Sequence, residues 1–237
     1  MKIFENASFR EQQALKIYAI LKDHFGQSDF SDFVCLEVGC GSGEISSYFA
    51  GKMKAIWGID ISPNLFKKNL LIDNSTFGLS VSNGANLPFP NSHFNIILLP
   101  QVYEHTKKQQ EIFNEIYRVL QPGGVCFFSG PNKFQLIERH YYLPFLSWLP
   151  NKLSSIYLKI TQKADYYDIY PRSYWRIKKL VKEFSRIDYT SQIIRDPKKF
   201  NMQERFGKIK LSILPSWFIQ LFEPLFPNYN WILVKEK

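Results

Sequence analysis

Apolar positions recur at two spacings along the first 130 residues, and the spacing switches repeatedly between them. In residues 9–25, FREQQALKIYAILKDHF, a helical period sets Leu15, Tyr18, Ala19 and Lys22 on one face, and Gly26 is a stop signal. Residues 33–38 form a short apolar run that predicts a strand, residues 45–50 predict a helix, and residues 55–59 predict a second strand ending at Asp60. Ser62-Pro63 predicts a helix start, since serine caps and proline suits the first turn; this helix runs to about residue 73, and a strand follows over 76–81. The run FNIILL at 94–99 is continuous enough for a strand buried on both faces. Residues 107–120 then place Ile112, Ile116, Val119 and Leu120 on one helical face, and Gln121-Pro122-Gly123-Gly124 ends that helix before a strand over 125–129.

Strand and helix alternate with short connections throughout this part. That alternation predicts an α/β fold, a doubly wound and mostly parallel sheet with helices on both faces. Beyond Gly130 the regularity lapses. Residues 131–171 are rich in aromatics and prolines, and within them one helix is predicted with Leu149, Leu153, Ile156, Tyr157 and Ile160 on one face and Lys152, Ser155 and Lys159 on the other. A helix over 172–184, a strand over 187–194 and a last strand over 229–234 complete the pattern.

Composition bounds the rest. With 237 residues, 45% of them hydrophobic and 16% aromatic, the chain suits one core and one domain, 1–237, carrying 131–171 as an inserted cap segment. Cys35, Cys40 and Cys126 lie in or beside apolar runs without the spacing of a metal or disulfide framework, so reduced core thiols and no metal site are expected. The first residues carry no signal-like apolar stretch and no segment has the length of a membrane span, which makes the cytoplasm the expected location. The net charge of +9 suits nucleic acid, anionic membranes or acidic substrates alike. Its lysines and arginines thicken after residue 130 among Tyr, Trp, Phe and Pro, the texture of a covering or interfacial surface.

The stretch Val34 to Glu44, VCLEVGCGSGE, packs three glycines at the end of an apolar run and before a helix. A strand, a glycine turn and a helix, with an acid at the end of the next strand, form a nucleoside-binding unit; the acid here is Asp60. Glu44 stands where the dinucleotide fingerprint needs a third glycine and would oppose a pyrophosphate at that helix start. The ligand expected is therefore a nucleoside without a phosphate.

Four motifs in order, LEVGCGSG, GIDISP, NLPFPNSHFN and YRVLQPGG, resemble those of class I S-adenosylmethionine-dependent methyltransferases, in the branch that contains the ubiquinone-pathway and other small-molecule enzymes. The resemblance covers residues 33–130 and implies a Rossmann-like sheet. It also implies that Glu37, Gly39, Gly41 and Gly43 line the methionine and ribose portion of S-adenosylmethionine, that Asp60 holds the ribose diol, and that Ile61 lies against adenine with Leu87 nearby. Asn83 stands where the family usually has an aspartate accepting from the adenine amine; the alternative is a plain turn residue. Asn95 likewise replaces an aspartate common near the start of the fourth strand.

Methyl transfer from a sulfonium needs alignment above all, and a hydroxyl acceptor gains from a general base. His105, just after the fourth strand, and His140, in the insertion, are the candidates; Glu104 either orients His105 or caps the turn. Leu99-Pro100-Gln101-Val102 departs from the Asn/Asp-Pro-Pro-Tyr/Phe of enzymes that methylate base nitrogens, so a small-molecule acceptor methylated at oxygen is expected rather than nucleic acid. An RNA methyltransferase and a non-catalytic, cofactor-binding regulatory protein remain the alternatives. Phe145, Trp148 and Leu149, with Trp217, Phe218, Leu221 and Phe222, either pack on the core or meet a lipid-like substrate or the inner face of a membrane.

Overall fold

A computed structural model describes residues 7–65, 76–203 and 215–237. The chain opens with helix α1 (Ala7–Phe25), which ends at Gly26 in the left-handed conformation. Strand β1 (Phe30–Val38), helix α2 (Glu44–Phe49), strand β2 (Met53–Asp60), strand β3 (Phe77–Val81), strand β4 (Phe94–Pro100), helix α3 (Gln109–Val119) and strand β5 (Leu120–Pro131) follow in order. The helix expected after Ser62-Pro63 begins as a single 3-10 turn, Pro63–Leu65, and its remainder lies outside the described residues.

One seven-stranded sheet holds the molecule, in the order β3-β2-β1-β4-β5-β9-β8, where β8 is Ser185–Asp188 and β9 is Asn228–Val234. The β1–β2, β2–β3, β1–β4 and β4–β5 pairs are parallel, and β9 runs antiparallel between β5 and β8. The chain builds outward from β1 and then returns to its other side at β4. Such a switch point opens a crevice beyond the carboxyl ends of the central strands.

Side-chain alternation divides the core into two layers. Cys35, Ile96, Leu98, Val125 and Phe127 face α1 and α2, where Ala14, Ile17, Ile45 and Phe49 meet them. Leu36, Ile97, Leu99, Cys126 and Phe128 face α3 through Ile112, Phe113 and Ile116. Each buried large apolar side chain contributes about 1.5–3 kcal/mol, so both layers hold the sheet firmly. The buried face of α1 is Ala14, Ile17, Ile20 and Leu21, while Lys22 is exposed, which corrects the face expected from sequence. The Gln121–Gly124 stretch also differs from expectation: it is a register irregularity inside β5 rather than a break before it, because pairing with β4 jumps from Phe94–Leu120 to Ile96–Val125.

The insertion is ordered. Its neck is closed by a bridge between Asn132 and Arg172, by the Lys133 amide donating to the Arg172 carbonyl at 3.1 Å, and by Tyr103, whose hydroxyl donates to the Pro131 carbonyl and accepts from the Arg172 amide. Between these points lie a hairpin of β6 (Ile137–Glu138) and β7 (Leu143–Pro144), a 3-10 turn at Leu146–Trp148 and helix α4 (Asn151–Ile160). Leu143, Leu146, Leu158, Tyr167 and Ile169 give this cap its own small core. Helix α5 (Tyr174–Leu180) and β8 come next, and residues 190–195 form a helix, α6 (Thr190–Arg195), where a strand was expected. The cause is local: the Asp188 carboxylate accepts from the Thr190 and Ser191 amides at 2.9 and 3.0 Å and so caps a helical turn.

Candidate functional site

The glycine loop sits in the crevice at the end of β1. The amides of Gly39 and Cys40 both donate to the Ile59 carbonyl, at 2.8 and 2.9 Å, which ties the loop to β2. Gly39, Gly41 and Gly43 have φ of +72°, +56° and +77°, the left-handed region that side chains with a Cβ avoid. A Cβ on Gly39 would stand 2.4 Å from the Val102 side chain, so this glycine also permits the close approach of the chain that follows β4. Around Gly41 the space is open, with an added Cβ meeting nothing nearer than the Arg10 guanidinium at 3.9 Å.

Asp60 braces this loop. Its Oδ2 accepts from the Gly41 amide and its Oδ1 from the Ser62 amide, each at 2.9 Å. Each carboxylate oxygen retains a lone pair, so the group can still receive two hydroxyls of a diol. Beside it Ile61 is 71% exposed, a large apolar side chain without cover.

Two residues expected to line the ligand lie deeper. Glu37 is wholly buried, its Oε2 accepting from the Ser46 hydroxyl and its Oε1 without a protein partner. Burial, with the Asp60 charge, raises its pKa to about 7 against the bond from Ser46 and the charge of Arg10. Leu87 is drawn into the core with Val38, Ile59 and Ile112, and its amide donates to Glu115 at 2.7 Å. Glu37 therefore supports the loop from beneath and Leu87 is a core residue, because the apolar and hydrogen-bonding needs of each are met inside.

Asn83 is exposed and builds a turn: its Oδ1 accepts from the Ala85 amide at 3.0 Å and its carbonyl from the Asn86 amide at 2.9 Å. Asn95 lies at the opposite end of the sheet from the loop, where it accepts from the Val34 amide at 2.8 Å and donates to Gln121 at 3.0 Å. Its role is to staple β1, β4 and the β5 irregularity together.

A second set of groups gathers where the cap meets the end of β4. Val102, packed on Gly39, leads directly into a 3-10 turn, Tyr103–His105, so Glu104 and His105 follow the loop contact within three residues. From the cap comes His140, whose ring lies 5.1 Å from that of His105 at near right angles. Glu138, missed in the sequence, organises this corner: wholly buried, it accepts from the His140 and Tyr141 amides, both at 2.8 Å, and from His140 Nδ1 at 2.7 Å. Since a carboxylate only accepts, Nδ1 carries the proton and Nε2 is left as the basic nitrogen.

Electrostatics separates the two histidines. Burial opposes the charged form of His140, but the hydrogen bond and charge of Glu138, with Glu104 and Asp168 beyond, outweigh it and raise its pKa. His105, although its residue surface is open to solvent, is held below its ordinary value by partial desolvation of its ring and by the charge of His140. Glu104 is wholly buried with both oxygens lacking a protein partner, and burial raises its pKa to about 7. The buried hydroxyl of Tyr167, electrostatically coupled to Glu138 and Glu104, also has no partner. Unpaired buried polar groups are costly, and a cluster of them marks a place for a polar ligand. Glu104, His105 and His140 also bring one ligating atom each within 4.8 Å of the others, the spacing of a loose metal site.

Comparison with known proteins bears on the part of the chain that carries the glycine loop. A family described as a methyltransferase domain matches residues 36–128. Demethylmenaquinone methyltransferase of Tropheryma whipplei is 31% identical over 144 residues, which cover 56% of this chain and 60% of that protein's length. A ubiquinone/menaquinone biosynthesis C-methyltransferase, UbiE, of Neisseria meningitidis is 28% identical over 95 residues, covering 38% of this chain and 39% of the relative. The chain thus spans only part of the length of the curated relatives it matches. Among solved structures, a phosphoethanolamine N-methyltransferase of Haemonchus contortus in complex with S-adenosylhomocysteine superposes with a TM-score of 0.55 at 16% identity, over 100% of this chain and 59% of that one. At that identity the likeness speaks to the fold.

Proposed function

We propose that this chain, whose residues 36–128 match a methyltransferase domain, is a class I S-adenosylmethionine-dependent methyltransferase that transfers a methyl group to the oxygen of a small molecule held beneath the cap. The observation behind the reading is a chain of contacts: Val102 packs on Gly39 of the loop braced by Asp60 and leads into the turn that carries His105, whose ring meets that of His140, itself bonded to Glu138.

The residues present fit the cofactor. Three left-handed glycines keep the loop free of side chains, Asp60 has lone pairs to spare for a ribose diol, and Ile61 offers an open apolar face for adenine. Glu37 Oε1 is buried and unpartnered beneath the loop, and with a pKa raised to about 7 the carboxyl would be drawn towards its charged form by a cationic ligand. When bound, S-adenosylmethionine supplies a methyl group on a positively charged sulfur. The chain's own work is alignment and proton removal. His140 Nε2 accepts the acceptor's hydroxyl proton, Glu138 fixes the tautomer and steadies the resulting imidazolium, and the cap excludes water that would otherwise solvate the nucleophile.

A second reading draws on the name of the Neisseria relative, a C-methyltransferase. If the acceptor is a phenol, the same base produces a phenolate whose ring carbon can attack instead of its oxygen, and the proton on that carbon then leaves to restore the aromatic ring. Incubating the protein with labelled S-adenosylmethionine and a small-molecule extract, then locating the added methyl by mass spectrometry and NMR, distinguishes the two.

Asp60→Ala is expected to weaken S-adenosylhomocysteine binding by about 1–3 kcal/mol, the worth of charge-assisted hydrogen bonds, with part of the loss coming from release of the Gly41 amide. Isothermal calorimetry reads this directly. Unchanged affinity would move the cofactor away from β2.

A further inference from the structure

Helix α4 is inside out. Its buried strip is Ser154 and Leu158, and the Ser154 hydroxyl is spent on the Leu146 carbonyl at 2.9 Å. On the opposite side Leu153, Ile156 and Ile160 are 50%, 53% and 75% exposed. A helix whose only task is to cover a core turns its apolar stripe inward; here Leu153, Ile156 and Ile160 point to solvent. Immediately upstream Phe145 and Trp148 are exposed as well, and their rings meet at 5.2 Å. Trp148 Nε1 donates to the Gln135 carbonyl at 2.8 Å, so its polar edge is already satisfied and no water is needed there. Phe145 holds a left-handed backbone at φ +55°, an uncommon conformation for an aromatic residue.

Charge identifies what covers this face. Lys152 and Lys159 flank the apolar stripe, Lys163 follows it, and none of these three makes an ion pair among the described residues. Between residues 131 and 163 the one carboxylate is Glu138, which is buried and engaged by His140. No described helix is long and apolar enough to cross a membrane. A second copy seated here would set one row of lysines against another. We propose that the outer face of α4, with Phe145 and Trp148, docks the cap on the surface of an anionic lipid bilayer, the apolar side chains entering the interface and the lysines meeting lipid phosphates.

The test is co-sedimentation with vesicles of phosphatidylcholine, with and without phosphatidylglycerol. The intact protein is expected to sediment with the mixed vesicles at low salt and to be released as salt rises. Leu153→Ser, Ile156→Ser and Ile160→Ser together should lower partitioning by about tenfold or more at every salt concentration, because apolar insertion is not screened. Lys152→Gln with Lys159→Gln should remove the preference for phosphatidylglycerol. All these side chains are exposed, so S-adenosylhomocysteine affinity serves as the check on folding and separates this proposal from the cofactor reading. Equal sedimentation of the triple-serine variant, no sedimentation at low salt, or a stripe-dependent dimer that ignores vesicles would each overturn it.

Discussion

His140→Ala is expected to lower kcat for methyl transfer by about 10²–10⁴-fold, the range for removing a positioned general base, while leaving S-adenosylhomocysteine affinity nearly unchanged. The split follows from placement. His140 belongs to the cap, whereas the glycine loop and Asp60 belong to the sheet. The base works only when neutral, and its pKa lies above the ordinary histidine value, so activity should rise with pH through that pKa and reach a plateau above it. Glu138→Gln removes the main influence raising that pKa; the rising limb should move to lower pH and kcat should fall as the tautomer is released. A residue that merely packed would not move the limb. The assay is transfer of labelled methyl to a small-molecule extract across a pH series. A flat profile for the wild type, or wild-type kcat in His140→Ala, would remove the base from the mechanism.

The second large effect is a gain in stability. Glu104 is wholly buried with neither oxygen paired, and its pKa is raised to about 7. The fold therefore holds the proton more tightly than the unfolded chain does. The stabilisation this provides is full below the ordinary carboxylate range and is lost as pH rises through about 7. A folded pKa near 7 against an ordinary 4.5 corresponds to about 3 kcal/mol. Glu104→Gln keeps the shape without the titration. It should match the wild type near pH 5 and exceed it by about 2–3 kcal/mol at pH 8 in urea unfolding. Lost activity in the same variant would show why a destabilising carboxylate is kept in the turn after Val102. A variant less stable than wild type at pH 8 would mean that Glu104 is paired in solution.

Much of this was legible in the sequence, and the reasons differ by element. The strand–loop–strand from Val34 to Asp60 was readable because glycine spacing and a terminal acid carry their own chemistry, and FNIILL because a strand buried on both faces is apolar nearly throughout, Asn95 at its start being the one polar residue. The face of α1 was not. Between Ala14 and Leu21 apolar residues run almost all the way round, so periodicity alone does not select a side; the sheet does. In α4 periodicity found the stripe, but amphipathicity did not say which side packs: Ser154 and Leu158 do, while Leu153, Ile156 and Ile160 on one side and Lys152 and Lys159 on another stay exposed. Glu138 went unseen because its partnership with His140 depends on a two-residue hairpin strand, whereas the sequence shows only a glutamate two places before a histidine. Leu87 and Glu37 show the converse: motif position placed them near the ligand, and core packing took them beneath it.

The central claim is that the loop of Gly39, Gly41 and Gly43, braced by Asp60, holds a phosphate-free nucleoside cofactor beside the His140–Glu138 pair. Calorimetric titration of the wild-type protein with S-adenosylhomocysteine, and in parallel with a nicotinamide dinucleotide, tests it most directly. Saturable binding of S-adenosylhomocysteine at one site, weakened in Asp60→Ala, together with no binding of the dinucleotide, is the result predicted; dinucleotide binding, or no binding of S-adenosylhomocysteine to a folded protein, would contradict it.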